Sequence, residues 1–308
     1  MKIKQIITII ICLFAIESNT IKPIDRLLDR NKVITYYIYQ TTNGRLFVVV
    51  RNTMTEAKSD LKWMMVSDVH FPRHDPRKVE LFLKVMKWFK PHAVDLLGDI
   101  DDADSTSRWA SEYPTEFSIP VGDGGVNETK QFMNDIRKIV PNADCHFHDG
   151  NHGWTRHGDY LSKKAPAFLD VITPKTLYEY DKYGFNWHNY NEPPVQRFGD
   201  MWGHHGEAIS QNSAESVKKD VLNWGVSLVR GHSHRMGAFY HTYNLSGQEL
   251  RGYEIGHLCD ESKMDYSIQK NWQAGFAIAH VVNDYPHMQL IQITKDYTCV
   301  VDGKVFSA

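Results

Sequence analysis

The chain has 308 residues, enough for one large domain with a small appendage and for a sizeable buried core. A hydrophobic fraction of 42% beside 23% charged residues is that of a globular chain and excludes a low-complexity one, while a formal net charge of −2 provides no bulk basis for binding polyanions. The cysteines Cys12, Cys145, Cys259 and Cys299 are scattered without a CxxC pair, which argues against a zinc ribbon or disulfide framework and favours a reducing, cytoplasmic compartment.

Lys2 and Lys4 precede an apolar run from Ile6 to Ile16, the outline of a secretory signal. The run is shorter than the roughly 20 residues needed to span a bilayer, and Ile16-Glu17-Ser18-Asn19 is a poor cleavage site. A buried helix is therefore expected here, with export after cleavage of residues 1–18 as the alternative. Residues 21–31 read as a short second helix. VITYYIYQ and RLFVVV, joined by a turn ending in Asn-Gly, read as a β-hairpin. These elements make residues 1–57 a small N-terminal segment, either a winged-helix-like unit that touches DNA or a hairpin covering a sheet edge. The second helix lacks an obvious basic recognition face, which favours the sheet-edge reading.

Residues 58–308 form the main domain. LKWMMVS reads as a buried strand, and Pro76 to Lys90 as a helix with Val79, Phe82, Val85, Met86 and Phe89 on one face. AVDLLG and ADCHFH are strands, with a helix from Asn127 to Val140 between them. Met201-Trp202 is a short strand, Ser213 to Trp224 a helix, and VSLVRG another strand. From Gly237 onward the pattern is strands alone, closing on the YTCVV-DG-KVF hairpin. Alternation followed by a β-rich tail predicts an α/β fold of two packed sheets with helices outside.

Polar motifs stand where these strands end: Asp68-Val69-His70, Gly98-Asp99-Ile100-Asp101-Asp102, Gly150-Asn151-His152, Gly203-His204-His205-Gly206 and Gly231-His232-Ser233-His234. In an extended D-x-H the carboxylate and imidazole point to one side and can share an ion. Asp after Gly is ordinarily a turn, and a lone His is ordinarily a satisfied or surface residue. That ordinary reading is expected for His74, His92, His157, His188, His241 and His287. It does not account for the conjunction of carboxylates, an amide and imidazoles at successive strand ends.

In this order, the motifs from residue 68 to 234 resemble the signature of the calcineurin-like metallophosphoesterases. GYEIGHLCD and NWQAGFAIAHV are similar, more loosely, to the tails of small phage- and prophage-type members. The resemblance implies a four-layer αββα sandwich of two mixed sheets. Asp68, His70 and His234 would bind one ion, Asn151, His205 and His232 a second, and Asp99 both; His205 is preferred over His204 because it directly precedes Gly206. Two divalent transition-metal ions are implied, Mn²⁺ first, with Fe or Zn²⁺ as alternatives. The implied reaction is hydrolysis of a phosphomonoester or phosphodiester by a metal-bridging hydroxide, the ions roughly 3.5–4 Å apart. His152 would be the general acid and Asp102 would orient it. Two departures leave the substrate open: Ala103 stands where many members have Arg, and Gly153-Trp154 where many have an acidic residue. Arg108 and Arg156 are candidates for phosphate contact or solvated surface charges. The alternatives to a general phosphoesterase are a DNA or RNA nuclease of phage or bacterial nucleic-acid metabolism and a non-catalytic binding module.

Overall fold

Strands with alternating faces, five of them leading into a polar motif, build two sheets whose inner faces meet. The computed structural model describes residues 28–29, 32–40, 46–53, 61–107, 120–264 and 270–308. The chain divides into two units, Met1–Lys58 and Ser59–Ala308. In the first unit, β1 (Leu28–Asp29), β2 (Lys32–Gln40) and β3 (Leu46–Thr53) form an antiparallel sheet. The expected hairpin is present as β2–β3. The expected second helix is not continuous through residue 29, because Leu28 and Asp29 pair with Val33 and Lys32 in the sheet. The apolar run at 6–16 lies outside the described residues.

In the second unit β4 (Leu61–Val66), β5 (Ala93–Leu97), β6 (Asp144–His148) and β7 (Phe185–His188) run parallel. On the other side of β4, β13 (Gly275–Val282) and β14 (Tyr285–Gln292) add antiparallel, completing a six-stranded sheet. The second sheet takes the order β11-β12-β10-β9-β8, from β8 (Val195–Phe198), β9 (Met201–Gly203), β10 (Ser227–Arg230), β11 (Met236–Thr242) and β12 (Glu249–Ile255). It is also mixed, with β10 parallel to β9 and β12 and the outer pairs antiparallel. A terminal hairpin, β15 (Thr298–Val301) and β16 (Lys304–Ser307), closes the described chain.

The alternation of period two sorts the side chains into layers. Met64 and Val66 of β4, with Val94 and Leu96 of β5, face α1 (Pro76–Phe89) and α2 (Asn127–Ile139). Their neighbours Trp63, Met65, Ala93 and Leu97 point the other way and meet Met201, Val229, Tyr253 and Ile255 of the second sheet. Helix α4 (Glu215–Trp224), which follows α3 (Trp154–Lys164) in the chain, covers the outer face of the second sheet through Val217 and Val221 against Leu228 and Leu250. The result is the expected four-layer sandwich: helices, mixed sheet, mixed sheet, helix. Among the described residues no helix is long and apolar enough to cross a membrane.

Candidate metal centre

Each of the five polar motifs follows the last residue of a parallel strand or of β9, so the sheets deliver all five to one end of the sandwich. The convergence has a different local origin from the one expected. Asp68 and His70 are not extended: β4 stops at Val66, and both residues take left-handed backbone (φ 54° and 57°). Asp99, His232 and His234 do the same, with φ of 50°, 70° and 57°. Such a conformation costs a non-glycine residue about 1–3 kcal/mol, so its repetition at five polar positions marks a site whose geometry overrides local preference.

Each carboxylate at the centre uses one oxygen as an anchor and offers the other. Asp68 Oδ2 accepts from the His232 backbone N–H (2.9 Å), tying the end of β4 to the loop after β10. Asp68 Oδ1 is buried without an aligned donor, and lies 3.1 Å from His234 Nε2 and 3.8 Å from His70 Nε2. Asp99 Oδ1 accepts from the His152 backbone N–H (2.9 Å). Asp99 Oδ2 faces His205 Nε2 at 3.2 Å and both His70 Nε2 and His152 Nε2 at 3.9 Å.

The remote ring nitrogens decide what faces inward. His205 Nδ1 donates to Leu97 O (2.8 Å), which leaves a lone pair on Nε2 of the neutral ring. That lone pair meets two further acceptors, Asp99 Oδ2 and, at 3.1 Å, Asn151 Oδ1. His70 Nδ1 is held by Asp102 Oδ1 at 2.7 Å, so its Nε2 likewise faces Asp68, Asp99 and, at 3.1 Å, His234 Nε2. Acceptors pointed at one another in a buried site repel unless a proton or a cation lies between them. The donor set of Asp68, His70, Asp99, Asn151, His205, His232 and His234 therefore fits metal ions, with mixed oxygen and imidazole ligands. Three groups of donor atoms lie within 4.8 Å of one another here: Asp68, His70 and His234; His70, Asp99 and His152; and Asp99, His205 and His232.

The electrostatics are those of a site short of positive charge. Burial would raise the Asp68 and Asp99 carboxyls, yet neighbouring histidines hold both well below the usual range. Burial would likewise depress His70, but its hydrogen bonds to Asp102 and Asp68 and the charges of Asp102 and Asp99 lift it to about 10. His232, by contrast, is pushed down to about 3 by burial and by the charges of His205 and Arg230.

The two adjacent histidines separate cleanly. His204 Nε2 contacts Tyr190 O (3.0 Å), and its Nδ1 accepts from Gly206 N (3.0 Å), so both ring nitrogens are engaged away from the centre. The structure brings His205 in and turns His204 out.

Asp102 does more than the sequence suggests. Its Oδ1 contacts His152 Nδ1 and His70 Nδ1, each at 2.7 Å, so one carboxylate orients two imidazoles. Arg156, one turn along from His152, places Nη2 2.9 Å from His152 Nε2 and donates through Nη1 to Asp102 O (2.8 Å). Arg108 lies outside the described residues. Arg73 was not singled out in the sequence; it pairs with Asp104 (2.6 Å) and lies 3.4 Å from Asp102. Asp104 is pushed up to about 7 by burial and the Asp102 charge, against the pull of Arg73 and Arg156.

A buried frame holds the histidine loops. Arg230, fully buried, donates to Gly231 O (3.0 Å) and Ala208 O (2.9 Å) and pairs with Asp220, which also accepts from the backbone of Glu207 and Ala208. Behind His234, Cys259 Sγ lies 3.8 Å from its Nδ1 and 3.0 Å from His257 Nδ1, in a GHLCD stretch that carried no assigned role. Of the histidines expected to be ordinary, His157 is a satisfied core residue bound to Asp101 and Thr106, whereas His188 joins a separate, partly buried cluster.

No family model matches the chain. It is 26% identical over 255 residues to the Gene 54 protein of Mycobacterium phage L5, covering 79% of this chain and 97% of that protein. The Gene 54 protein of Mycobacterium phage D29 is 27% identical over the same length, with the same coverage. Among solved structures, Vps29 of Entamoeba histolytica is 15% identical (80% of this chain, 96% of that chain, TM-score 0.41). YfcE, a phosphoesterase from E. coli, is 14% identical (78% and 97%, TM-score 0.40). A dimetal phosphatase from Danio rerio is 11% identical (75% and 96%, TM-score 0.38). Two packed mixed sheets, with the five motifs in order and converging at one end, are the fold and the motif arrangement that the resemblance to the calcineurin-like metallophosphoesterases implies.

Proposed function

We propose that the protein is a dinuclear-metal phosphoesterase that hydrolyses a phosphomonoester or phosphodiester. The observation that carries this reading is the set of mutually facing acceptors: His205 Nε2, Asp99 Oδ2 and Asn151 Oδ1 on one side, and Asp68 Oδ1 with the His70 and His234 nitrogens on the other. Asp68, His70 and His234 would hold one ion, Asn151, His205 and His232 the other, and Asp99 would contact both; Mn²⁺ is our first assignment. When bound, such ions supply the positive charge that activates water and neutralises phosphoryl oxygens.

The remaining chemistry belongs to the chain's own groups. His152 is fixed by Asp102 through Nδ1, which leaves Nε2 directed toward the centre to hand a proton to the leaving oxygen. Asp102 Oδ1, 2.7 Å from Nδ1, keeps the ring in that orientation. Arg156 Nη2 now occupies the direction in which His152 Nε2 would carry that proton. An anionic phosphoryl group between the two accepts from both, so Arg156 serves as the phosphate-binding cation that Ala103 does not provide. The buried, unpaired cysteines Cys145, Cys259 and Cys299 accord with a cytoplasmic location, which intact-mass measurement of the natively expressed protein would test against cleavage at residues 1–18.

The test uses metal-stripped protein reloaded with Mn²⁺, Fe²⁺ or Zn²⁺ and assayed on an aryl phosphomonoester, an aryl phosphodiester, single-stranded DNA and duplex DNA. Turnover of at least one substrate is expected. Asp99→Ala and His232→Ala should each lower it by at least about 10³-fold, because each removes several kcal/mol of charge stabilisation, and both should keep a cooperative thermal transition. Full activity in either folded variant, or metal uptake without turnover of any substrate, would sink the reading; the latter would point to a binding module.

A further inference from the structure

We propose that His146, His148 and His188 form an additional transition-metal site, separate from the dinuclear centre and selective for an imidazole-preferring dication such as Zn²⁺. His146 and His148 alternate on β6 and so share a face, and the parallel register sets His188 of β7 opposite His148. One ring nitrogen from each of the three lies within 4.8 Å of the others. His146 Nδ1 and His188 Nε2 are 2.7 Å apart.

The outward nitrogens supply a second, independent indication. His146 Nε2 lies 3.2 Å from Asp144 Oδ1, and His148 Nε2 lies 3.0 Å from Asp95 Oδ2. A carboxylate on the outer nitrogen fixes the proton there, turns the lone pair inward and raises its basicity, as with metal-bound histidines generally. The nearest cation, Arg197, is engaged by both carboxylates (2.8 Å to Asp95 and 2.9 Å to Asp144), leaving one net negative charge beside the trio.

A tetrahedral zinc with nitrogens at about 2.0 Å separates them by about 3.3 Å, so the His146–His188 contact must open by about 0.6 Å. His188 is the ring able to yield: it is the last residue of an edge strand and only partly buried. An ion there would pin β7 to β6 directly before the Asp149–His152 loop.

Untagged full-length protein is stripped with chelator, dialysed against Zn²⁺, and its bound zinc counted by mass spectrometry alongside His188→Ala and Asp99→Ala. The expected result is one equivalent fewer in His188→Ala than in the natural protein, with that same equivalent retained by Asp99→Ala. Addition of Zn²⁺ should raise the melting temperature of Asp99→Ala by more than that of the double variant Asp99→Ala/His188→Ala. Equal zinc content in the natural protein and in both His188→Ala and the second variant His146→Asn would overturn the proposal. Loss of zinc by Asp99→Ala decides the dinuclear reading separately, so the two cannot fail together unnoticed.

Discussion

Replacing Arg156 by Met removes a guanidinium while retaining most of its apolar stem. Its donors lie 2.9 Å from His152 Nε2 and 2.8 Å from Asp102 O, and its side chain is 24% exposed, so substrate can reach it. A hydrogen bond from a charged donor contributes about 1.5–3 kcal/mol, which is about 10- to 150-fold in kcat/KM if the phosphoryl oxygens are its target. The bond to Asp102 O comes from the same charged donor, so its loss should also lower stability by about 1.5–3 kcal/mol, which the melt reads separately, while Arg73 still pairs with Asp104. The assay is steady-state hydrolysis of an aryl monoester and an aryl diester by Mn²⁺-loaded protein, with a thermal melt of each variant. A uniform phosphate contact raises KM, whereas one strengthened in the transition state lowers kcat. Lys at this position should recover only part of the loss, since one ammonium cannot reproduce the two-pronged contact. If kcat/KM for both substrates stays within about twofold of the natural protein, Arg156 does not bind phosphate and its contact with His152 is structural only.

Gly231→Ala would place a Cβ on Ser67 Oγ and Asp68 Oδ2, forcing apart the loop and carboxylate joined by the His232 N–H. Activity and metal content should fall together, whereas Gly225→Ala, with nothing within 4 Å, should alter only backbone strain and leave activity intact. Arg197→Met tests the fully buried Asp95, which Trp63, Arg197 and His148 hold in place. Burial favours the protonated acid, but Arg197 and His148 hold its pKa below the usual range, so its contribution is complete above about pH 4 and lost on further acidification. Removing Arg197 should cost about 3–5 kcal/mol at pH 7.5. Burial then acts with less opposition and the acid's pKa rises, so the folded state gains a proton that the unfolded state lacks, and the deficit should shrink by pH 5. Urea unfolding at both pH values checks this; an unchanged deficit would refute it.

The sequence alone determined the layered fold and marked most residues of the candidate metal centre. Period-two alternation distinguishes the strands, the apolar face of Pro76–Phe89 distinguishes its helix, and glycine-bounded polar motifs mark the strand ends. These are local signals, spread over a few residues each. Tertiary structure alone decided which atoms face each other across segments far apart in the chain. His204 and His205 are adjacent and chemically identical, and only the position of β9 beside β10 turns one to Tyr190 and the other to Asp99. Asp102 could be matched to His152 by motif, but its simultaneous hold on His70 depends on the left-handed turn after β4. His188, ordinary in sequence, gains its interest from a parallel register that sets it opposite His148, across forty residues of chain. Residue type and spacing identify which groups are available; ring rotation, strand register and burial determine which of them meet.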